Sequence, residues 1–312
     1  VIAQCDIMAT AVGARILKFI IPNIGAGLRK RWAEGCRPLN IIICENLMDA
    51  NLVIEGMIKE QLTEEEKAKF DETVGLVEAS IGRMVPVQTD EMKAGEPMRV
   101  CVESYGFLPV DKDAFKGEIP EIKNMVPFAP FDFFIRRKLF MHNMSHAVTA
   151  YLGNLCGYEY IWEAIDDARI RYVALRALLE SALAMHKEHG VDIADLLDHC
   201  YDLLGRFTNK LLGDTIARVG RDTQRKLNKE DRIVGALNLC KKMGVEAKYL
   251  YIAVAAGLHF GPEGDDSSRA VADDAAKYGA PYAMNTYCGI SPNSPIALKV
   301  SEFYDKIKNK TP

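Results

Sequence analysis

Along the first third of the chain, short continuous apolar runs alternate with stretches whose apolar positions recur at helical spacing. CDIMAT (5–10) and LNIIICEN (39–46) read as strands, while the stretch ending at Trp32 and the stretch 49–71 read as helices. Strands without polar alternation are those buried on both faces of a parallel sheet, so this rhythm predicts βαβ units. SIGRMVPVQ (80–88) and MRVCVESYGFLPV (98–110) read as additional strands, with the Pro- and Gly-rich 107–130 as a crossing segment. From about Phe131 the period becomes helical almost to the end, predicting helices near 131–156, 161–189, 191–207, 230–243, 246–260, 266–279 and 294–309. Pro130 stands at an expected helix start, and Gly157 and Gly190 stand where helices should stop. The expected organisation is a mostly parallel α/β domain over 1–130 followed by an all-α domain over 131–312.

Length and charge narrow the partners. A chain of 312 residues is long enough for two cores, and 49% apolar with 26% charged residues is the balance of a globular enzyme. The net charge of -4 offers no general attraction to nucleic acid or to an anionic membrane, and no apolar run reaches a membrane-spanning length. A small-molecule substrate is therefore expected. Eight scattered cysteines without a C-x-x-C pair argue against a disulfide framework or a zinc ribbon and point to a reducing cytoplasm. The opening VIAQCDIMATAVG lacks an initiator Met and reads as a helix end running into a strand, so a longer parent chain is expected.

In a parallel α/β sheet, ligands bind at the carboxyl ends of strands. Those positions are Ala11, Val12 and Gly13 after the first strand, and Glu45 and Asn46 after the second. Gly13 serves equally well to free a turn, and Asn46 to cap a helix. NIGAGLRKR (23–31) contains G-x-G, but Lys30 stands where a third glycine belongs and the segment lies inside a helix, so it is not a dinucleotide fingerprint.

KLFMHNMSHAVTAYLG (138–153) offers two rival chemistries. His142 and His146 share a helix face and could ligate a metal, but Asn143 replaces the glutamate of a hydrolytic zinc motif and no third ligand is evident. Alternatively, Lys138, Asn143 and His146 project at roughly 0°, 140° and 80° on a helix turning about 100° per residue. A desolvated lysine can act as general base there while an asparagine amide polarises an alcohol oxygen. The plainer alternative sends Lys138 to solvent and buries a hydrogen-bonded His146. A second cluster follows at 217–232, where Arg218, Arg221 and Arg225 fall at i, i+3 and i+7 and could grip a phosphate, or form a solvated face.

Together these segments resemble the polyol-specific long-chain dehydrogenases, most closely their mannitol-1-phosphate 5-dehydrogenase branch. The family signature K-x4-N-x2-H stands here as Lys138, Asn143 and His146, and DIMATAVG, RPLNIIICEN, VGLVEASIGRMVP, VDKDAFKG, LGRFTNKLL, ARVGRDTQRKL and AAGLHF follow the family's order. The resemblance implies a Rossmann-type domain whose first strand and glycine-rich turn lie upstream, and a metal-free, NAD-linked enzyme interconverting mannitol 1-phosphate and fructose 6-phosphate. NADP stays open, because the acidic residue that selects between the two would lie upstream as well. Lys138 would be the general base, Asn143 and Asn46 would polarise the oxygen, and His146 would orient lysine and substrate. Arg218 and Lys226 would hold substrate hydroxyls, Thr10 to Gly13 and Glu45 would line the cofactor cleft, and the active site would lie between the domains. Arg221 and Arg225 are added here as candidates for the phosphate.

Two departures from the family pattern bear on this. Gly82 stands where the family carries an aspartate, and the phosphate-cradling turn is absent from these residues, so weak binding of NAD is expected of them alone. The alternatives are a relative acting on a free polyol or a sugar acid such as fructuronate or tagaturonate, and a non-catalytic sugar-phosphate-binding protein.

Overall fold

The computed structural model describes residues 1–35, 37–45, 47 and 49–309. The chain divides into two compact units, Val1–Arg83 with Ser104–Ile135, and Met84–Glu103 with the residues from Arg136 onward.

The first unit is built on a parallel sheet in the order β1 (Ile7–Thr10), β2 (Leu39–Ile43), β3 (Val74–Glu78), with Ile41 of β2 paired to Met8 and to Leu76. All five β2 residues are buried, the reason that this strand reads as an unbroken apolar run. Helices α1 (Leu17–Ala33), α2 (Ala50–Lys59) and α3 (Glu64–Thr73) connect the strands. On α1 the buried Leu17, Ile21, Ile24 and Leu28 follow a helical stripe and join Leu39, Ile41, Ile43, Ile54 and Phe70 in one core. Thr63 and Glu66 form a capping box that starts α3. Ile42 and Val77 point to the other side of the sheet, where Val110 covers them. Val110 lies on β4 (Leu108–Asp111), which pairs in parallel with β5 (Met125–Phe128).

The sequence reading differs from this sheet in two places. It missed β3, whose five residues follow the charged α3 without a turn signal between them. It also placed strands over 80–88 and 98–110, of which only the stretch from Leu108 is a strand. Between them the segment Met84–Glu103 holds itself by side chains: Gln88 accepts from Cys101 N at 2.7 Å and donates to Cys101 O at 3.0 Å, and Glu103 accepts from Met84 N. Backbone groups satisfied in this way have no need of a ladder partner. One short helix, α4 (Asp90–Lys93), lies in this segment.

The second unit is helical. After α5 (Asp132–Arg137) comes a π-helical turn, Lys138–Asn143, then α6 (Met144–Cys156), α7 (Ile161–Asp166), α8 (Ala168–His189) and α9 (Ile193–Phe207). A 3-10 turn (Lys210–Leu212) precedes α10 (Ile216–Gly220), α11 (Thr223–Lys226), α12 (Val234–Lys242), α13 (Lys248–Leu258), α14 (Asp266–Tyr278), α15 (Ala280–Ala283), a second π turn (Met284–Cys288) and α16 (Pro295–Lys308). Gly157 and Gly190 end α6 and α8 in the left-handed conformation, as C-cap glycines do. α6 is the centre: it packs against α7, α8, α10 and α13, and eight of its thirteen residues are buried. Gly153 permits this, since a methyl there would stand 2.8 Å from Ala164 Cβ on α7 and 2.5 Å from Ile216 Cδ1 on α10. α13 has no cap of its own. Buried Glu180 of α8 accepts from Tyr249 N and Leu250 N at 2.9 and 3.0 Å instead, with burial pushing its carboxyl up to about 7. Among the described residues no helix is long and apolar enough to cross a membrane.

Asn40 of β2 uses its amide to bond both Lys116 N and Lys116 O, at 2.8 and 3.0 Å, across the face of Gly75 on β3. A methyl on Gly75 would stand 2.6 Å from the Ala114 carbonyl oxygen and closer still to Asn40 Oδ1. Gly75→Ala is therefore expected to cost about 1–3 kcal/mol, the usual range for overpacking. Thermal unfolding checks this, and an unchanged Tm would refute the close approach.

Candidate active site

Lys138 and Asn143 are the two ends of the π turn that leads into α6. Its backbone bond runs from Met144 N to Leu139 O, five residues apart, so each turn holds more residues than in an α-helix. This corrects the angular reading made from a 100° helix: the i, i+5 spacing of Lys138 and Asn143 spans about one turn here, and their offset is smaller than expected. The irregular carbonyls are met by hydroxyls. Ser145 Oγ donates to Met141 O at 2.7 Å, and Ser181 Oγ on α8 donates to Phe140 O at 2.7 Å.

Lys138 is half-buried, and burial together with the nearby Arg232 guanidinium lowers its pKa. His146, one α-helical turn past the π segment, stacks on Phe207 of α9 with ring centroids 4.8 Å apart. Its pKa falls to about 3, first from burial and then from Lys226, Arg218, Arg232 and Arg206, so the imidazole is neutral. Its Nε2 lies 3.4 Å from Asp214 Oδ2 but has no hydrogen bond among the described residues, which makes the contact one between a carboxylate and a neutral ring. Asp214 is 7% exposed and pairs with Arg218 through its other oxygen. His142 is buried 6.3 Å from His146, ring to ring, and burial lowers its pKa well below the ordinary value. Among the described residues no three His, Cys, Asp or Glu come together as metal ligands.

The arginine cluster is not the helix face expected from its spacing. Helix α10 ends at Gly220, Arg221 has an extended ψ of 157°, and Asp222 takes a left-handed φ of 64° before α11 begins. That break destroys the i, i+3, i+7 register. It is held from α14, where Asp265 accepts from Asp222 N at 2.9 Å and Ser268 Oγ accepts from Thr223 N at 2.9 Å. Arg225 donates to both Asp222 (2.6 Å) and Asp231 (3.2 Å), Arg218 is paired with Asp214, and Arg221 is exposed. Lys226 is only 5% exposed and donates to the Val219 carbonyl; burial, then Arg232 and Arg225, lower its pKa to about 7. Sequence reasoning passed over Asp214, Asp231 and the particular role of Arg232. The one available signal for Asp214 was its spacing four residues before Arg218.

In the first unit, Thr10 is the last residue of β1, and its buried Oγ1 has no hydrogen-bond partner among the described residues. Ala11, Val12 and Gly13 form the exposed turn that follows, with Gly13 at φ 88° and open space where a side chain would be. Glu45 braces this turn by accepting from Val12 N at 2.9 Å and Gly13 N at 2.7 Å. Asn46 lies outside the described residues. Beside Gly82, a Cβ would stand 3.1 Å from Tyr105 Cε1, so the tyrosine ring takes the room that a larger side chain would need.

A parallel-sheet Rossmann-like unit joined to a helical unit carrying Lys138, Asn143 and His146 defines the class, that of polyol-specific long-chain dehydrogenases. The chain matches the mannitol dehydrogenase Rossmann domain over residues 1–124 and the mannitol dehydrogenase C-terminal domain over residues 131–306, and it belongs to the mannitol dehydrogenase family. Among solved structures it is similar to a D-sorbitol dehydrogenase in substrate-free form, with a TM-score of 0.80 and 16% identity over 99% of this chain and 74% of that one. It is also similar to Pseudomonas fluorescens mannitol 2-dehydrogenase in a ternary complex with NAD and D-mannitol, with a TM-score of 0.70, 18% identity and the same coverages.

Arg232 is a shared cause of the lowered pKa at Lys138 and Lys226. In Arg232→Gln both lysine pKa values are expected to rise, which NMR titration of isotope-labelled lysine side chains would follow. An unmoved Lys138 would show burial to be the whole cause.

Proposed function

We propose that the protein is an NAD-dependent dehydrogenase interconverting mannitol 1-phosphate and fructose 6-phosphate, with Lys138 as general base. The observation that carries this reading is the lowered pKa of Lys138 at the head of a π turn that ends in Asn143. A nicotinamide cofactor suits the turn after β1: it follows a parallel strand, is exposed, has room at Gly13, and offers the unspent Thr10 hydroxyl. When bound, the cofactor supplies the acceptor for the electron pair leaving the carbinol carbon.

Neutral Lys138 takes the hydroxyl proton as the alcohol becomes a ketone, and its ammonium returns that proton to the ketone oxygen in the reverse direction. The Asn143 amide donates to the same oxygen, whose negative charge grows as the proton leaves. Neutral His146 serves as a hydrogen-bonding partner without adding charge. Lys226 and Arg218 are suited to the remaining hydroxyls, and Arg221, exposed at the break between α10 and α11, to the phosphate. Four cations act on His146, but Arg218, Arg232 and Arg206 are each paired with a carboxylate, so what supports a phosphate is the exposed Arg221 rather than a net field. A free hexitol is the second reading. The two carboxylates on Arg225 favour it, and the similar structures are named for D-sorbitol and D-mannitol.

Steady-state reduction of fructose 6-phosphate, fructose and fructuronate with NADH tests the choice. Fructose 6-phosphate is expected to give the highest kcat/KM; a preference for fructose would establish the second reading, and a preference for fructuronate would overturn both. Oxidation needs the neutral amine, so its rate should rise with pH through a pKa below the ordinary lysine value of about 10.4, while reduction falls over the same range. Lys138→Ala should lower kcat by about 10²–10⁴-fold with little change in KM. Near-normal turnover would remove the general-base role.

A further inference from the structure

We propose that Asp214 is a positioning residue whose carboxylate bridges Arg218 and His146, holding His146 in the Nε2–H tautomer so that its Nδ1 lone pair is the acceptor available to the substrate. This rests on the reading of His146 as part of the polyol site.

The geometry divides the two oxygens of one buried carboxylate. Oδ1 is taken by Arg218, and Oδ2 faces His146 Nε2 at 3.4 Å. A neutral imidazole carries one N–H and one lone pair. A lone pair aimed at a carboxylate oxygen is repelled, whereas an N–H aimed there is attracted, so the proton belongs on Nε2. That nitrogen is buried and, among the described residues, has no hydrogen-bond partner, while Asp214 Oδ2 lies within reach. The space lined by His146, Asp214, Trp162, Phe207 and Asn209 is too small for a water molecule, which leaves no bridging solvent. Hydrogen bonds of a functional site are often long or poorly aligned without substrate and tighten when it binds.

Both ends of the contact are fixed from outside. Asp214 O accepts from Ile161 N at 2.9 Å, and the next residue, Thr215, forms an antiparallel bridge with Tyr160 while its hydroxyl caps α10 by accepting from Arg218 N at 3.2 Å. The His146 ring is held flat against Phe207. Gly153 then sets how closely α7 and α10 approach α6, so Asp214 and Arg218 come to His146 as one unit. A carboxylate that fixes a histidine's tautomer without touching the reacting atoms is a familiar arrangement in nucleophilic and metal sites.

Two-bond 1H–15N correlation spectra of protein labelled on histidine nitrogen, recorded at pH 7, read the tautomer directly. His146 is expected as Nε2–H in the unsubstituted protein and as a mixture or as Nδ1–H in Asp214→Asn, with Asp214→Glu regaining part of the Nε2–H form. Finding Nδ1–H in the unsubstituted protein, or an unchanged tautomer in Asp214→Asn, would overturn the proposal. Kinetically, Asp214→Asn should lower kcat by at least about 10-fold, the lower end of the effect of a carboxylate that orients a histidine, and Asp214→Glu should recover part of it. Equal activity of Asp214→Asn and the unsubstituted protein would also overturn it. The spectra need no substrate, so failure to turn over any polyol would count against the functional reading while the tautomer still decides the role of Asp214.

Discussion

Desolvation of the α6 helix is the constraint on which the site depends. A helix buried against α7, α8, α10 and α13 must carry small or apolar residues on nearly all faces, and Ala147, Val148, Ala150 and Gly153 do so. The polar groups at its amino end are brought into the same environment. Water cannot stabilise their charged forms there, so Lys138 is shifted towards the free amine and both His142 and His146 are held neutral. The chemistry available to the site follows from that one packing decision.

Charge in the surrounding shell is then distributed so that few groups are left unbalanced. Asp214 offsets Arg218, while Asp222 and Asp231 offset Arg225, and Asp231 also engages Arg232 at 2.8 Å. Lys226 donates to the Val219 carbonyl, and burial, then Arg232 and Arg225, lower its pKa to about 7 despite Asp222 and Asp231. The left-handed Asp222 is what makes this arrangement available. By breaking the chain between α10 and α11 it directs the arginines into separate pairs instead of along one helix face. Asp265, the N-cap of α14, and Ser268 in its first turn hold the break, so the charge pattern depends on a helix more than 40 positions away in the chain.

In the first unit a similar economy operates with backbone groups. Glu45 satisfies two N–H groups of the turn after β1, and the Asn40 amide satisfies both backbone groups of Lys116. Side-chain bonds also hold Met84–Glu103, read in part as strand from the sequence: Gln88 engages Cys101 N and O, and Glu103 engages Met84 N.

What the sequence determined by itself was whatever local periodicity and spacing can encode. The unbroken apolar run of β2, the amphipathic stripe of α1, the C-cap glycines at 157 and 190, and the Lys138, Asn143, His146 spacing were all legible, because each is set by residues within a few turns of one another. β3, the π turn, the break at Asp222 and the pairing of Asp214 with His146 and Arg218 were not. Each depends on atoms that are distant along the chain, or on burial, and no short window of sequence records the dielectric around a lysine or the carboxylate that a histidine will face. The sequence therefore supplied the groups that can do acid–base chemistry, and the tertiary structure decided their protonation states and the partners that hold them.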